Sequence, residues 1–93
     1  MDRIKIILLI IVRARIIKME KILEIINEIN LMSGKETIEK LERNTSLRKN
    51  LKFDSLDLAV LTAKIEDIYD IDVFEDGVID TVEEIIEKIE GAK

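Results

Sequence analysis

The chain has 93 residues, a length that fits one domain and excludes two domains of ordinary size. It contains no cysteine and no histidine, which excludes disulfides, thiolate nucleophiles, imidazole acid–base chemistry and zinc sites with the usual ligands. Residues 1–18 hold five Lys/Arg and one acid, a charge of +4, whereas residues 19–93 hold ten Lys/Arg and nineteen acids, a charge of −9. We call residues 19–93 the body of the chain. An acidic body argues against binding to nucleic acid and for basic protein partners.

Residues 1–18 differ from the rest of the chain in both charge and hydrophobicity. The apolar run from Ile4 to Val12 is about nine residues long and includes Lys5, so it is too short for a transmembrane helix, which needs ~20 residues. Basic residues follow the run where a signal peptide would have small ones. Three interpretations remain: an anchor at a membrane surface, a helical extension packed on the body, or a stretch outside the functional domain. We favour the last and place the domain at residues 19–93.

Three strong helices are predicted within the domain. Apolar residues between Met19 and Leu31 recur at helical spacing, with glutamates on the other side. A second helix is expected to start after Asp54 and to run to about Tyr69, and a last one to begin near Asp80 or Thr81 and to be stopped by Gly91. The fold class is therefore all-α, a small bundle.

The connection between the first two helices, residues 33–53, is long for a small domain. It must either be pinned by its scattered apolar residues or carry a short helix around Ile38 to Leu41. The apolar residues are Ile38, Leu41, Leu47, Leu51 and Phe53.

The start of the second helix is the most informative segment. Asp54 suits an N-cap, and Asp57 three residues later suits the reciprocal partner of a capping box. Ser55 then lies on the first turn, where free backbone N–H groups and the positive end of the helix dipole favour a phosphate. On these residues alone, a plain capped helix start is the favoured explanation.

With its flanking residues, the segment Leu51-Lys52-Phe53-Asp54-Ser55-Leu56-Asp57 resembles the acyl carrier protein family. That family has Asp-Ser-Leu at the start of its second helix, with glycine where this chain has Lys52. The resemblance covers residues 19–93. It implies a bundle of three main helices plus a short third helix before the last one, although the segment from Tyr69 to Val82 is short for the family and lacks its usual proline.

The resemblance also implies a function. Ser55 would carry a covalent 4′-phosphopantetheine whose thiol holds acyl chains, in fatty-acid or related polyketide and secondary biosynthesis. Asp54 would help position the transferase and its metal, and Leu56 would pack at the base of the arm. The chain would be a cytoplasmic monomer and a carrier rather than an enzyme, with no metal site of its own.

The implied partners are a phosphopantetheinyl transferase and acyl synthases, acyltransferases and reductases with basic docking patches. Asp57, Glu66 and Asp67 match acidic positions of the family's docking face, and Val60 stands where glutamate is common. The sequence does not identify the acyl cargo, the pathway or the cognate synthase.

Three alternatives stay open. A peptidyl or aminoacyl carrier usually has Gly-Gly before its Asp/His-Ser-Leu, a place that Lys52-Phe53 fills here. An unmodified helical interaction module needs no serine chemistry. Residues 72–83 approach an EF-hand calcium loop, but Phe74 replaces an oxygen ligand; the candidate positions are Asp72, Asp76, Gly77, Ile79, Asp80 and Glu83.

Overall fold

The structure, a computed structural model, describes residues 2–75 and 77–91. Within these residues it is all-helical, with α1 at Arg3–Met32, α2 at Ser55–Tyr69 and α3 at Val82–Gly91. The predicted all-α class is confirmed. No helix among the described residues is both long enough and apolar enough to cross a bilayer.

Helix α1 is much longer than the helix predicted from Met19, because it continues without a break through the basic N-terminal residues. The side chain of Asp2 caps it by accepting a hydrogen bond from the amide of Ile4 (3.0 Å). The described part of residues 1–18 is therefore helical from Arg3, but its outer turns are not packed on the rest of the chain as the second interpretation requires. Residues 3–14 of this extension are exposed.

The extension is joined to the body at its base by ion pairs with α3. Arg15 contacts both Glu90 (3.1 Å) and Glu83 (3.5 Å), and Lys18 contacts Glu90 (3.7 Å). Ion pairs near the surface contribute little to stability one by one, because solvent screens them. They orient the base of the extension and leave its outer turns without a neighbour in the body.

Helix α2 begins at Ser55, as the sequence predicts, and a complete capping box holds its start. Asp54 accepts from the amide of Asp57 (2.8 Å), and Asp57 accepts from the amide of Asp54 (3.1 Å). Leu61 and Ile65 are fully buried. The helix ends at Tyr69. Its C-cap, Asp70, has a left-handed φ of 58°, and the Asp70 amide donates to the carbonyl of Glu66.

The core lies where the three helices meet. α1 contributes Ile22, Ile25, Ile26 and Ile29, and α3 contributes Val82, Ile85, Ile86 and Ile89. At roughly 25 cal/mol per Å² of apolar surface, burial of these branched side chains is the main force that holds the helices together.

Residues 33–54 connect α1 to α2 without a helix, and apolar side chains pin them to the core. Leu41, Leu47, Leu51 and Phe53 are buried, and Ile38 is half-buried. Asn27 on α1 also bonds to both the carbonyl (2.9 Å) and the amide (2.8 Å) of Ile38. Of the two predicted solutions for this connection, pinning is therefore the one adopted.

A second set of contacts ties this connection to the residues before α3. Leu47 N donates to Asp80 O (2.7 Å), and Ser46 forms an isolated bridge with Thr81. The Ser46 hydroxyl also donates to the Asp80 carboxylate (2.5 Å). That bond, with help from Arg48, holds the pKa of Asp80 below its ordinary value. The loop before α2 is thereby held near the start of α3.

The short third helix implied by the family resemblance is not seen among the described residues between α2 and α3. Residues 73–75 form a turn, and Val73 anchors it in the core. Glu75 N bonds to Asp72 O (3.2 Å) and Gly77 N to Phe74 O (3.1 Å). With no more than twelve residues between the helices, the chain spans the distance through turns.

Candidate functional site

Ser55 is exposed and is the first residue of α2. The capping box satisfies the amides of Asp54 and Asp57, while the first-turn amides of a helix have no intrahelical acceptor. Asp54 is exposed beside Ser55, and 71% of the surface of Leu56 is accessible. The predicted triplet Asp54-Ser55-Leu56 therefore presents a hydroxyl, a carboxylate and an apolar side chain together at the surface.

The chain reaches this triplet through a left-handed residue. Lys52 has a φ of 58°, a conformation that costs an L-residue roughly 1–2 kcal/mol and that glycine adopts freely. Lys35 stabilises the turn, since its Nζ donates to the carbonyl oxygens of Lys52 (2.9 Å) and Leu51 (3.4 Å) and lies 5.6 Å from the ring centre of Phe53.

Asp57 does not face the surface, in contrast to its predicted place on a docking face. It is 6% exposed, and its carboxylate accepts from the hydroxyl of Ser33 (2.7 Å) and the amide of Asp54 and lies 3.6 Å from Lys35 Nζ. We therefore remove it from the docking residues. Its side chain joins the start of α2 to the end of α1.

The electrostatics of Asp57 fit this internal role. Burial alone would raise the pKa of its carboxyl. The Ser33 hydroxyl, the hydrogen bonds to Asp54 and the charge of Lys35 outweigh burial and hold the pKa below its ordinary value. The carboxylate is thus ionised and fully engaged within the fold. Ser33 and Lys35 were not singled out in the sequence, because nothing local marks them as partners of a residue more than twenty positions away.

A groove opens beside Ser55 along α2 and has a volume of about 500 Å³. It is lined by residues of α2, by Phe74 from the turn before α3 and by Arg48. The lining residues are Arg48, Ser55, Leu58, Ala59, Thr62, Ala63, Glu66 and Phe74. Arg48 and the groove-lining role of Phe74 were missed in the sequence, since neither lies in a motif with Ser55.

The other predicted docking residues lie on α2 as expected for a surface. Glu66 and Asp67 are exposed. Val60 is half-buried and packs against the core. Lys64, the positive charge among them, is engaged with Glu28 of α1 (2.7 Å), a contact that lowers the pKa of Glu28.

Within residues 2–75 and 77–91, no group of three or more His, Cys, Asp or Glu side chains is placed to hold a metal ion. Asp76, one of the candidate calcium ligands, lies outside the described residues. No protein-family model, curated protein or solved structure matches the chain.

Proposed function

We propose that the protein is an acyl carrier protein in which Ser55 bears a 4′-phosphopantetheine arm. The observation that carries the proposal is the position of the Ser55 hydroxyl: exposed, on the first turn of a capped helix, and at the mouth of a groove. The chain has no thiol of its own. A covalent arm would supply the nucleophile that holds an acyl group as a thioester.

The helix start favours the phosphodiester that this attachment requires. A phosphate on Ser55 Oγ would lie near the first-turn amides and the positive end of the α2 dipole. The arm carries a single negative charge at that point, so the interaction stabilises it without a dedicated basic pocket. Asp54, exposed next to Ser55, remains available to the transferase and its metal.

The backbone at Lys52 gives independent support. Acyl carrier proteins have glycine at the matching position, and the φ of 58° at Lys52 is a conformation that favours glycine. The turn before the serine therefore has the shape that explains the family's preference, even though the residue differs. Lys35 helps to hold a non-glycine residue in this conformation through its bond to the Lys52 carbonyl.

The groove beside Ser55 suits a flexible arm. Leu58, Ala59 and Phe74 offer apolar surface to its carbon chain, and Arg48 offers guanidinium N–H donors to its amide carbonyls. Leu56, largely exposed, would cover the base of the arm. A cargo held near this groove belongs to fatty-acid or related polyketide and secondary biosynthesis, in a cytoplasmic setting.

Recognition by synthases, acyltransferases and reductases would use the exposed face of α2 rather than Asp57. Glu66 and Asp67 supply its negative charge, and Val60, where glutamate is common in the family, replaces a charge with a half-buried apolar contact. Basic patches on those enzymes would be steered to this face by the acidic body.

The test is intact-mass measurement after incubation with a phosphopantetheinyl transferase and coenzyme A. We expect a gain of one phosphopantetheine, abolished in Ser55→Ala and retained in Thr37→Ala, which removes another exposed hydroxyl. A modification that persists in Ser55→Ala would refute the site. No gain with any transferase would favour an unmodified interaction module, and loading by an amino-acid-activating enzyme would favour a peptidyl or aminoacyl carrier.

A further inference from the structure

The outer turns of α1 expose an unusual amount of apolar surface. Every large apolar residue from Ile4 to Val12 is at least 41% exposed. The run covers all sides of the helix, because seven consecutive residues, 6–12, are apolar and a helix turns every 3.6 residues. Apolar patches of this extent mark interaction sites.

The surface area of the whole chain gives the same result. A compact monomer of 10.8 kDa exposes about 5,500 Å², whereas this chain exposes 6531 Å². The excess of about 1,000 Å² is close to the ~800 Å² that each partner buries in a standard protein interface. The extension thus exposes about as much surface as a stable contact between two chains covers.

A second groove lies beside the extension and has a volume of about 620 Å³. It follows one face of α1 from Ile11 to Leu23 and is closed on the other side by residues 39–43 and Ile86. Its lining is mainly apolar, with Val12, Ile16 and Met19 along its length. At 1.5 Å per residue it is about 18 Å long, enough for three turns of an apolar helix.

We propose that this groove receives the extension of a second copy of the chain, so that two α1 helices pair antiparallel around a two-fold axis near Val12. Each copy then contributes the same surface of α1 to the interface, as closed two-fold symmetry requires. Lys5, Val12 and Ile16 share one face of α1, since they lie seven and four residues apart. This face of each extension meets the groove of the other copy. Under this proposal the chain is a dimer, in contrast to the monomer expected from the sequence.

One charge pair fits this arrangement. An antiparallel pair centred on Val12 places Lys5 of one copy beside Met19 and Glu20 of the other, and Glu20 lines the groove. Lys5 of each copy can therefore pair with Glu20 of the other. Two of the basic residues that line the groove, Arg15 and Arg43, are already paired with Glu83 of their own chain. Opposed helix dipoles also favour the antiparallel direction.

A lipid surface fits the same extension less well. A helix that lies on a membrane has one apolar face and one polar face, whereas residues 6–12 have no polar face. Anionic lipids would attract the extension, within residues 1–18 of charge +4, but would repel residues 19–93, of charge −9. The second copy is therefore the occupant that the apolar groove and the absence of a polar face at residues 6–12 favour.

The experiment uses the full chain and measures its mass by light scattering and sedimentation over a concentration series. We expect a dimer that Val12→Glu dissociates at least about tenfold more readily, because the substitution places two carboxylates at the axis. Val78→Glu is the matched control, since Val78 is 75% exposed and does not line the groove. Far-UV circular dichroism of each variant checks that the helices persist.

Crosslinking tests the register. The chain has no cysteine, so Val12→Cys introduces a single thiol, and a short bismaleimide should join two copies through it, whereas Val78→Cys should remain uncrosslinked. Glu20→Lys should weaken the dimer by about threefold to tenfold, and adding Lys5→Glu should restore it.

The proposal is overturned if the measured mass is that of a monomer at every concentration. It is also overturned if a dimer forms and Val12→Glu does not change its dissociation. It is equally overturned if the monomer floats with vesicles of anionic lipid through its extension, which would assign these residues to a membrane. Neither the dimer nor its test depends on Ser55, because modification at α2 leaves the extension unchanged.

Discussion

Replacing Asp57 with alanine should destabilise the fold far more than its surface-like sequence position suggests. The substitution removes the acceptor of the Ser33 hydroxyl and the Asp54 amide and the counter-charge of Lys35. Each hydrogen bond to a charged group contributes roughly 1.5–3 kcal/mol. Because Ser33 is exposed, its hydroxyl can bond to water in the variant, and this recovers part of the lost free energy. We expect the free energy of unfolding to fall by about 2–4 kcal/mol.

Urea unfolding followed by far-UV circular dichroism is the suitable assay, because the chain has no tryptophan and one tyrosine. Asp67→Ala is the control, since it removes an exposed aspartate of the same helix and should change stability by no more than about 0.5 kcal/mol. A double-mutant cycle with Ser33→Ala should give a coupling energy of about 1 kcal/mol.

A result for Asp57→Ala within about 0.5 kcal/mol of the wild type would refute this reasoning. It would mean that the carboxylate faces solvent and is free to contact partners, as the sequence alone suggested. A fall of about 2–4 kcal/mol in the free energy of unfolding, with the affinity of the folded protein for its partners unchanged, would establish the internal role of Asp57.

Three further predictions concern acid, the core and the docking face. Hydrogen bonds hold the pKa of Asp80 in the folded protein below its ordinary value of 3.8. The contribution of its carboxylate to stability is therefore complete above pH 3.8 and is lost as the pH falls through the lower pKa of the folded state. The Tm difference between wild type and Asp80→Asn should shrink toward low pH. Ile65→Ala should cost about 2–5 kcal/mol in urea unfolding, against less than about 1 kcal/mol for the partly exposed Ile68→Ala. Glu66→Lys and Asp67→Lys should each weaken binding of the transferase several-fold in titration calorimetry, and together much more.

Each of these has an outcome that contradicts it. A Tm difference that persists unchanged at low pH would show that the carboxylate does not act through its charge. Equal effects of the two isoleucine substitutions would place the core elsewhere. If the affinity for the transferase is unchanged by both charge reversals and by Val60→Glu, the docking face does not lie on α2.

Most of α2 and α3 could be predicted because their signals are local. Asp54 and Asp57 lie three residues apart in a capping box, and the buried residues of α3 repeat at helical spacing. The start at Ser55 follows from these neighbours alone. Such patterns specify structure before any tertiary contact forms.

The length of α1 and the direction of Asp57 could not be predicted, because both depend on distant residues. Residues 6–12 are apolar without a period, and the base of the extension is joined to Glu90, which lies 75 residues from Arg15. Likewise, a capping-box carboxylate can face water or protein, and only Ser33 and Lys35 decide which. The groove beside Ser55 needs Phe74, which the sequence separates from it by nineteen residues.

Helix α1 also separates the two ends of the molecule. The bond between Ser33 and Asp57 fixes the start of α2 at the C-terminal end of α1, so Ser55 lies near one end of a rod whose other end is the extension, about 45 Å away for 30 residues. A contact made at the extension therefore lies far from Ser55. It leaves the surface around the serine open, because the two regions lie at opposite ends of α1.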